Sequence, residues 1–272
     1  MELTVEGGPV FLADHGKGVD PARPTILFVH GAGMDHSVWS LQTRHFAYRG
    51  WNALALDLPG HGRSAGELRH SITALAEWLW SLVKALDVPA VTLVGHSMGA
   101  LIGLELSARR RRKIAGLALL GAAARMPVHA DLLAAAAGPG ARAALLICAW
   151  GFGPRGHLGG HKAPGSWMMG HAMRLLERSV GPVLQTDLTA CNAYEDGLEA
   201  AAKVRCPSLV LAGEFDRMAP ARQGARLAEA IKGARFVGVP AAGPMLIVEQ
   251  PDATLDALVE FVHLAGTSAR GG

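Results

Sequence analysis

The stretch LVGHSMGAL contains Gly95, His96, Ser97, Met98 and Gly99, a G-x-S-x-G pentapeptide set between an apolar run and a helical pattern. A serine hydroxyl carried on a sharp strand-to-helix turn can attack a carbonyl carbon, and small residues on both flanks let the two elements approach each other. Ser97 is therefore the expected nucleophile. Acyl transfer develops negative charge on the carbonyl oxygen, which preset backbone N–H groups stabilise. The glycine-rich turn in FVHGAGMDHSVW, residues 28–39, offers the Ala32 N–H, and the Met98 N–H follows the nucleophile, so these two form the expected oxyanion hole. In LVLAGEFDRMAP, Asp216 follows an apolar run and precedes a helix begun by Pro220. A carboxylate there can hold an imidazole in its working tautomer and stabilise the cation. His30 and His36 read as loop-shaping residues.

Positioning such groups requires strands that end on a common rim. Short apolar runs at 25–31, 52–60, 91–97, 114–121, 207–214 and 234–241 alternate with helical patterns, which predicts an α/β fold with a mostly parallel, doubly wound sheet. Two earlier runs, LTVEGG and VFLADHG, predict an antiparallel edge hairpin. Ile72, Leu75, Leu79, Leu82 and Leu86 keep helical spacing behind a Ser71 N-cap, and Trp78 and Trp80 on that helix read as packing or surface residues. The alternation stops between residues 122 and 203, where glycine and proline breaks separate short helical stretches. The expected organisation is a core of residues 1–121 and 204–272 and a helical cap of residues 122–203. Trp150, Phe152, Trp167 and Met168 are the expected apolar lining of a substrate site in that cap. The tail from Gly266 is expected to fray.

Composition narrows the function classes. A chain of 272 residues with 50% hydrophobic and 18% charged residues can bury a large core. The net charge of +3 owes much to ARRRRKIAG at 108–116, but that run closes a predicted helix, where cations suit the negative end of the dipole, and no nucleic-acid module accompanies it. No nucleic-acid partner is expected. The first residues lack a signal-peptide pattern and no run approaches the length of a membrane helix, so no membrane partner is expected either. Cys148, Cys191 and Cys206 form neither a disulfide framework nor a zinc pattern. A cytoplasmic protein without metal or cofactor fits these features.

Taken together, the three motifs make the chain resemble the α/β-hydrolase fold superfamily from about residue 25 to 264, and in particular its small bacterial carboxylesterase-like and C–C-hydrolase-like members. DLPGHGRS at 57–64 is similar to the loop after that family's fourth strand, and residues 122–203 are similar to its helical cap. The resemblance implies cofactor-free hydrolysis of esters, thioesters, lactones or activated carbon–carbon bonds. It also implies a closing G-H-x-x-x-x-E pattern, yet the chain reads GPMLIVE from Gly243 to Glu249, which puts Pro244 in the histidine's place. Proline has no titratable group to accept the Ser97 proton. His96 and His61 lie on the same rim, His157, His161 and His171 in the cap, and His263 on the last helix; none takes the missing position by sequence. Two readings follow. The chain is a serine hydrolase of small to medium uncharged acyl compounds, impaired at its base, or a non-catalytic relative that binds a small ligand. Retention of Ser97, Asp216, both elbow glycines and the oxyanion turn favours the first.

Overall fold

The apolar runs become strands of one eight-stranded sheet in a computed structural model, which describes residues 1–110, 112–138, 140–160, 166–179 and 182–268. His161, Arg111 and residues 269–272 lie outside the described residues. The strands are β1 (Glu2–Val5), β2 (Gly8–Ala13), β3 (Thr25–Val29), β4 (Asn52–Leu56), β5 (Val91–His96), β6 (Ile114–Leu120), β7 (Ser208–Gly213) and β8 (Arg235–Val239). Their order across the sheet is β1-β2-β4-β3-β5-β6-β7-β8. The first two form the expected hairpin, β2 joins β4 antiparallel, and every later pairing is parallel. Several runs outlast their strands. His30, Gly31 and residues 57–60 leave the ladder at its carboxyl edge, where glycine and proline release the chain into rim loops.

The helices are α1 (Ser40–Ala47), α2 (Ile72–Ala85), α3 (Met98–Arg109), α4 (Ala130–Ala136), α5 (Gly140–Gly151), α6 (Pro154–His157), α7 (Met168–Arg178), α8 (Val183–Ala193), α9 (Gly197–Lys203), α10 (Ala221–Ala230), α11 (Leu246–Glu249) and α12 (Pro251–Ser268). They cover both faces of the sheet, which is why β3, β4, β5 and β7 are buried at every residue. Strand alternation sorts the core into two clusters. Leu27, Val29, Leu93, Leu117 and Val210 meet α2, α3 and α10 on one face, while Ile26, Phe28, Val94, Ala118 and Leu209 meet α1 and α12 on the other.

Local signals hold at several ends. The Ser71 hydroxyl caps α2 by accepting the Ala74 N–H at 3.1 Å, and Trp78 is buried in the core. Arg109 and Arg110 at the end of α3 pair with Glu105 and Glu77. The last helix runs on to Ser268, so residues 266–268, expected to fray, continue α12. Between β6 and β7 the described residues hold helices and no strand. Ala190, Cys191, Tyr194, Ala200 and Ala201 of this segment join the cluster built by α2 and α3, so its last part packs directly onto the sheet's own core. Among the described residues no helix is long and apolar enough to cross a membrane.

Candidate active site

Ser97 stands between β5 and α3 with φ 53° and ψ −118°, left-handed backbone that a residue with a side chain adopts only under constraint. The constraint comes from its neighbours. A Cβ on Gly95 would lie 2.3 Å from the Gly99 carbonyl oxygen, and a Cβ on Gly99 would lie 2.3 Å from that of Val29. Only glycine at both positions lets β5, α3 and β3 come so close. The turn is fixed further by the Ser97 N–H, which donates to the Leu120 carbonyl at 2.9 Å.

The Gly31–Gly33 turn after β3 lies against this elbow. A side chain on Gly31 would come within 3.3 Å of Ser97 Cβ. Among the described residues, neither the Ala32 N–H nor the Met98 N–H has an acceptor, while the Gly33 N–H donates to Asp187 Oδ2 at 2.8 Å. Two free donors beside a strained serine match the requirement for stabilising an oxyanion.

Asp216 follows β7. Its Oδ1 accepts the Met218 and Ala219 N–H groups at 2.8 and 2.7 Å. Its Oδ2 is buried and, among the described residues, has no hydrogen-bond partner. Burial pushes the carboxyl up to about 6, against the pull of those two N–H groups, and the nearby Glu249 adds to the rise. The loop after β8 carries Pro244, which is buried, and is tied to the Asp216 loop where Phe215 N–H donates to the Ala242 carbonyl at 2.8 Å. Glu249 clamps it too, accepting the Gly243 N–H through Oε1 and the Gly153 N–H through Oε2, each at 2.8 Å.

Ala32, Ser97 and Pro244 border one cavity of about 580 Å³. Asp216 borders a neighbouring cavity of about 400 Å³, and the residues after it, Arg217, Met218 and Ala219, reach the Ser97 cavity. Of the four side chains expected to line a substrate site, Trp150 borders the Ser97 cavity. Phe152 and Met168 are turned into the apolar core, and Trp167 is 67% exposed with its ring over Gly170. The cavity is instead walled by Met126, Val128, Leu132, Ile147 and Leu188. Nothing in their local pattern separates them from ordinary helix-face apolar residues.

His129 borders the Ser97 cavity, and the histidines singled out in the sequence are placed as follows. His96 is buried, its Nε2 donates to the Pro244 carbonyl at 2.9 Å, and burial lowers its pKa. His30 donates through Nδ1 to the Gly31 carbonyl and accepts the Leu58 N–H, and burial together with the neighbouring His61 holds it to about 4. His36 pairs with Asp57, which also accepts the Arg63 N–H, so both act on loop shape as expected. His61 bonds Asp187. His157 and His171 are exposed, and His263 borders a separate cavity at the opposite edge of the sheet. No described histidine hydrogen-bonds Ser97 or Asp216.

A buried carboxyl without a cation should show in the stability profile. The folded pKa of Asp216, about 6, lies above its unfolded value of 3.8, so the protonated form favours folding. Its penalty is therefore absent well below pH 4 and grows as pH rises, to about 3 kcal/mol above pH 6. Asp216→Asn, which keeps an acceptor for the two N–H groups without the charge, is expected to be more stable than the unsubstituted protein at about pH 7.5. At about pH 4 the two should be nearly equal. Urea denaturation at both pH values checks this, and an Asn variant that gains nothing at the higher pH would contradict it.

The putative carbamate hydrolase RutD of Agrobacterium fabrum is 24% identical over 258 residues, covering 91% of this chain and 96% of that protein. The acetyltransferase component of the acetoin cleaving system of Pseudomonas putida is 35% identical over 109 residues, a match that spans 40% of this chain and only 28% of that protein. Among solved structures, the enol-lactonase of Burkholderia xenovorans LB400 superposes with a TM-score of 0.82 at 25% identity, covering 97% of this chain and 100% of that one. A model of the alpha/beta hydrolase family matches residues 26–257. With most of its length matched and the sheet order, elbow and rim loops in place, the chain belongs to the alpha/beta hydrolase family.

Proposed function

We propose that this protein is a serine hydrolase of small to medium, uncharged esters or related acyl compounds, impaired in this form because Pro244 stands where the general base belongs. The observation that carries the reading is the strained Ser97 elbow beside two N–H donors and a buried Asp216 oxygen, none of which has a partner among the described residues. In the complete reaction Ser97 Oγ attacks the acyl carbon while a base at position 244 takes its proton. The Ala32 and Met98 N–H groups stabilise the oxyanion, the alcohol departs with the proton, and water then releases the acid by the same steps reversed. Proline at 244 leaves that proton without an acceptor.

The apolar wall of the Ser97 cavity supports an uncharged acyl group, and helices from residues 122–203, which supply Leu132, Ile147, Trp150 and Leu188, act as the cap that encloses it. The names of the relatives and structural neighbours, an enol-lactonase and putative carbamate hydrolases, support esters, lactones and carbamates as the substrate class. The three cysteines, all unpaired, suit a reducing cytoplasm. Trapping of Ser97 tests the assignment. An aryl alkylphosphonate should add one alkylphosphonyl group to Pro244→His within minutes, to the unsubstituted protein far more slowly, and to Ser97→Ala not at all, read by intact mass. Labelling that persists in Ser97→Ala would move the nucleophile elsewhere. A protein that binds the probe in every form without reacting would be a small-ligand binder.

A further inference from the structure

His61, in the loop after β4, and Asp187, on α8, are 126 residues apart in the chain and both almost completely buried. Asp187 Oδ2 sits 2.8 Å from His61 Nε2 and accepts the Gly33 N–H, also at 2.8 Å. The other ring nitrogen of His61 lies 3.0 Å from the Pro59 carbonyl oxygen. A carbonyl oxygen can only accept, and a carboxylate can only accept. With Asp187 as a carboxylate both ring nitrogens donate, which is the imidazolium. One carboxylate therefore joins α8, the loop after β4 and the turn that holds Ala32.

We infer that Asp187 is a positioning residue, which sets the Gly31–Gly33 turn from the α8 side, and that an imidazolium at His61 keeps it in place. The inference rests on the proposed role of that turn in stabilising an oxyanion, but the contact itself does not. A single carboxylate oxygen buried with one neutral N–H would carry an uncompensated charge, whereas the cation at His61 neutralises it and leaves the oxygen free to fix Gly33. Fixing Gly33, the residue after Ala32, restricts the peptide whose N–H must point at the developing charge. Displacing such a donor lowers turnover without loosening ground-state binding.

The groups facing His61 all suit the charged ring. Asp187 comes from α8, Asp57 from the end of β4, and His30 from the end of β3, its ring 5.0 Å away and kept neutral. His36 is engaged with Asp57, and the Cys191 thiol, near Asp187, is kept protonated by burial. Burial opposes the charge on His61, yet the bond and attraction to Asp187, the Pro59 carbonyl and Asp57 outweigh it, so the ring's pKa is raised from the ordinary histidine value. The sign follows. The latch is intact below pH ~6.5 and is lost as pH rises through the raised folded value.

Nitrogen NMR of the histidine rings and native-state amide exchange test this on the full chain. His61 should show both nitrogens protonated at neutral pH, and Asp187→Asn, which is nearly isosteric, should shift its titration to lower pH. The protection factor of the Gly33 amide should fall about tenfold or more in Asp187→Ala at matched pH, and also in the unsubstituted protein at alkaline pH, while Leu27 and Leu93 in the core strands keep their protection. In the Pro244→His background, Asp187→Ala should lower kcat about tenfold with KM nearly unchanged. A neutral His61 at neutral pH, or a Gly33 amide that exchanges no faster without Asp187, overturns the inference. If Pro244→His proves inert, the serine-hydrolase reading fails, and the ring and amide measurements still decide the latch.

Discussion

Pro244→His is expected to raise ester hydrolysis by about four orders of magnitude, the largest change a single substitution should produce in this protein. The proposed reaction draws its other parts from groups already described. Ser97 is held in strained backbone, and among the described residues the Ala32 and Met98 N–H groups have no acceptor and the buried Asp216 Oδ2 no partner. An imidazole between Ser97 and Asp216 would take the serine proton and give the carboxylate the cation it lacks, drawing the Asp216 pKa back down from about 6. The loop should tolerate the exchange, because Glu249 holds Gly243 through its N–H and His96 holds residue 244 through its carbonyl, neither of which needs a proline ring. The measurement is kcat/KM on a short-chain aryl ester for the unsubstituted protein, Pro244→His, and Pro244→His with Ser97→Ala. The double variant should lose the gain. A high initial rate in the unsubstituted protein that Pro244→His does not improve would mean that another group already serves as base.

Gly99→Ala is expected to destabilise the fold by on the order of 3 kcal/mol or more. The added Cβ would stand 2.3 Å from the Val29 carbonyl oxygen and 2.6 Å from that of His30, and both are backbone atoms of the central strand and its exit. A flexible side chain could rotate away, but a strand cannot without disturbing its own ladder with β4 and β5. Gly238→Ala on β8, where no atom lies within 4 Å of the new carbon, is the control and should be neutral or slightly stabilising. Urea unfolding of the two variants checks the contrast, and equal stabilities would show that α3 can move off β3 more freely than its packing suggests.

What the sequence disclosed, and what it withheld, follows from how locally each feature is determined. The elbow was legible because its geometry forbids a Cβ on either side of Ser97, so the constraint appears as glycines at fixed spacing. The sheet was legible because strands buried on both faces have few residue choices, as β3 and β7 show. The Ser71 cap was legible for a similar reason, since the hydroxyl serves an N–H only three residues on. The cavity wall was not. Trp150 and Trp167 lie in one broken stretch of short helices with similar neighbours, yet one faces Ser97 and the other covers Gly170 at the surface. Orientation there is set by how α4, α5, α7 and α8 pack on one another, and helices of two or three turns carry too little periodicity to specify it. The His61–Asp187 pair lay beyond local reading altogether, because its partners meet only when the whole chain is folded.

The clamp on the Pro244 loop has an evolutionary meaning. Glu249, the Gly243 N–H and the residue 244 carbonyl hold that segment by backbone and by one distant carboxylate, so its position does not depend on which side chain occupies 244. Replacing a histidine there would have silenced chemistry while leaving folding almost untouched, so purifying selection on foldedness alone would neither detect the loss nor erase the remaining parts. Two of the four proline codons lie one base from a histidine codon, so on the proposed reading the genetic step between the two forms is short while the scaffold is preserved by its own architecture.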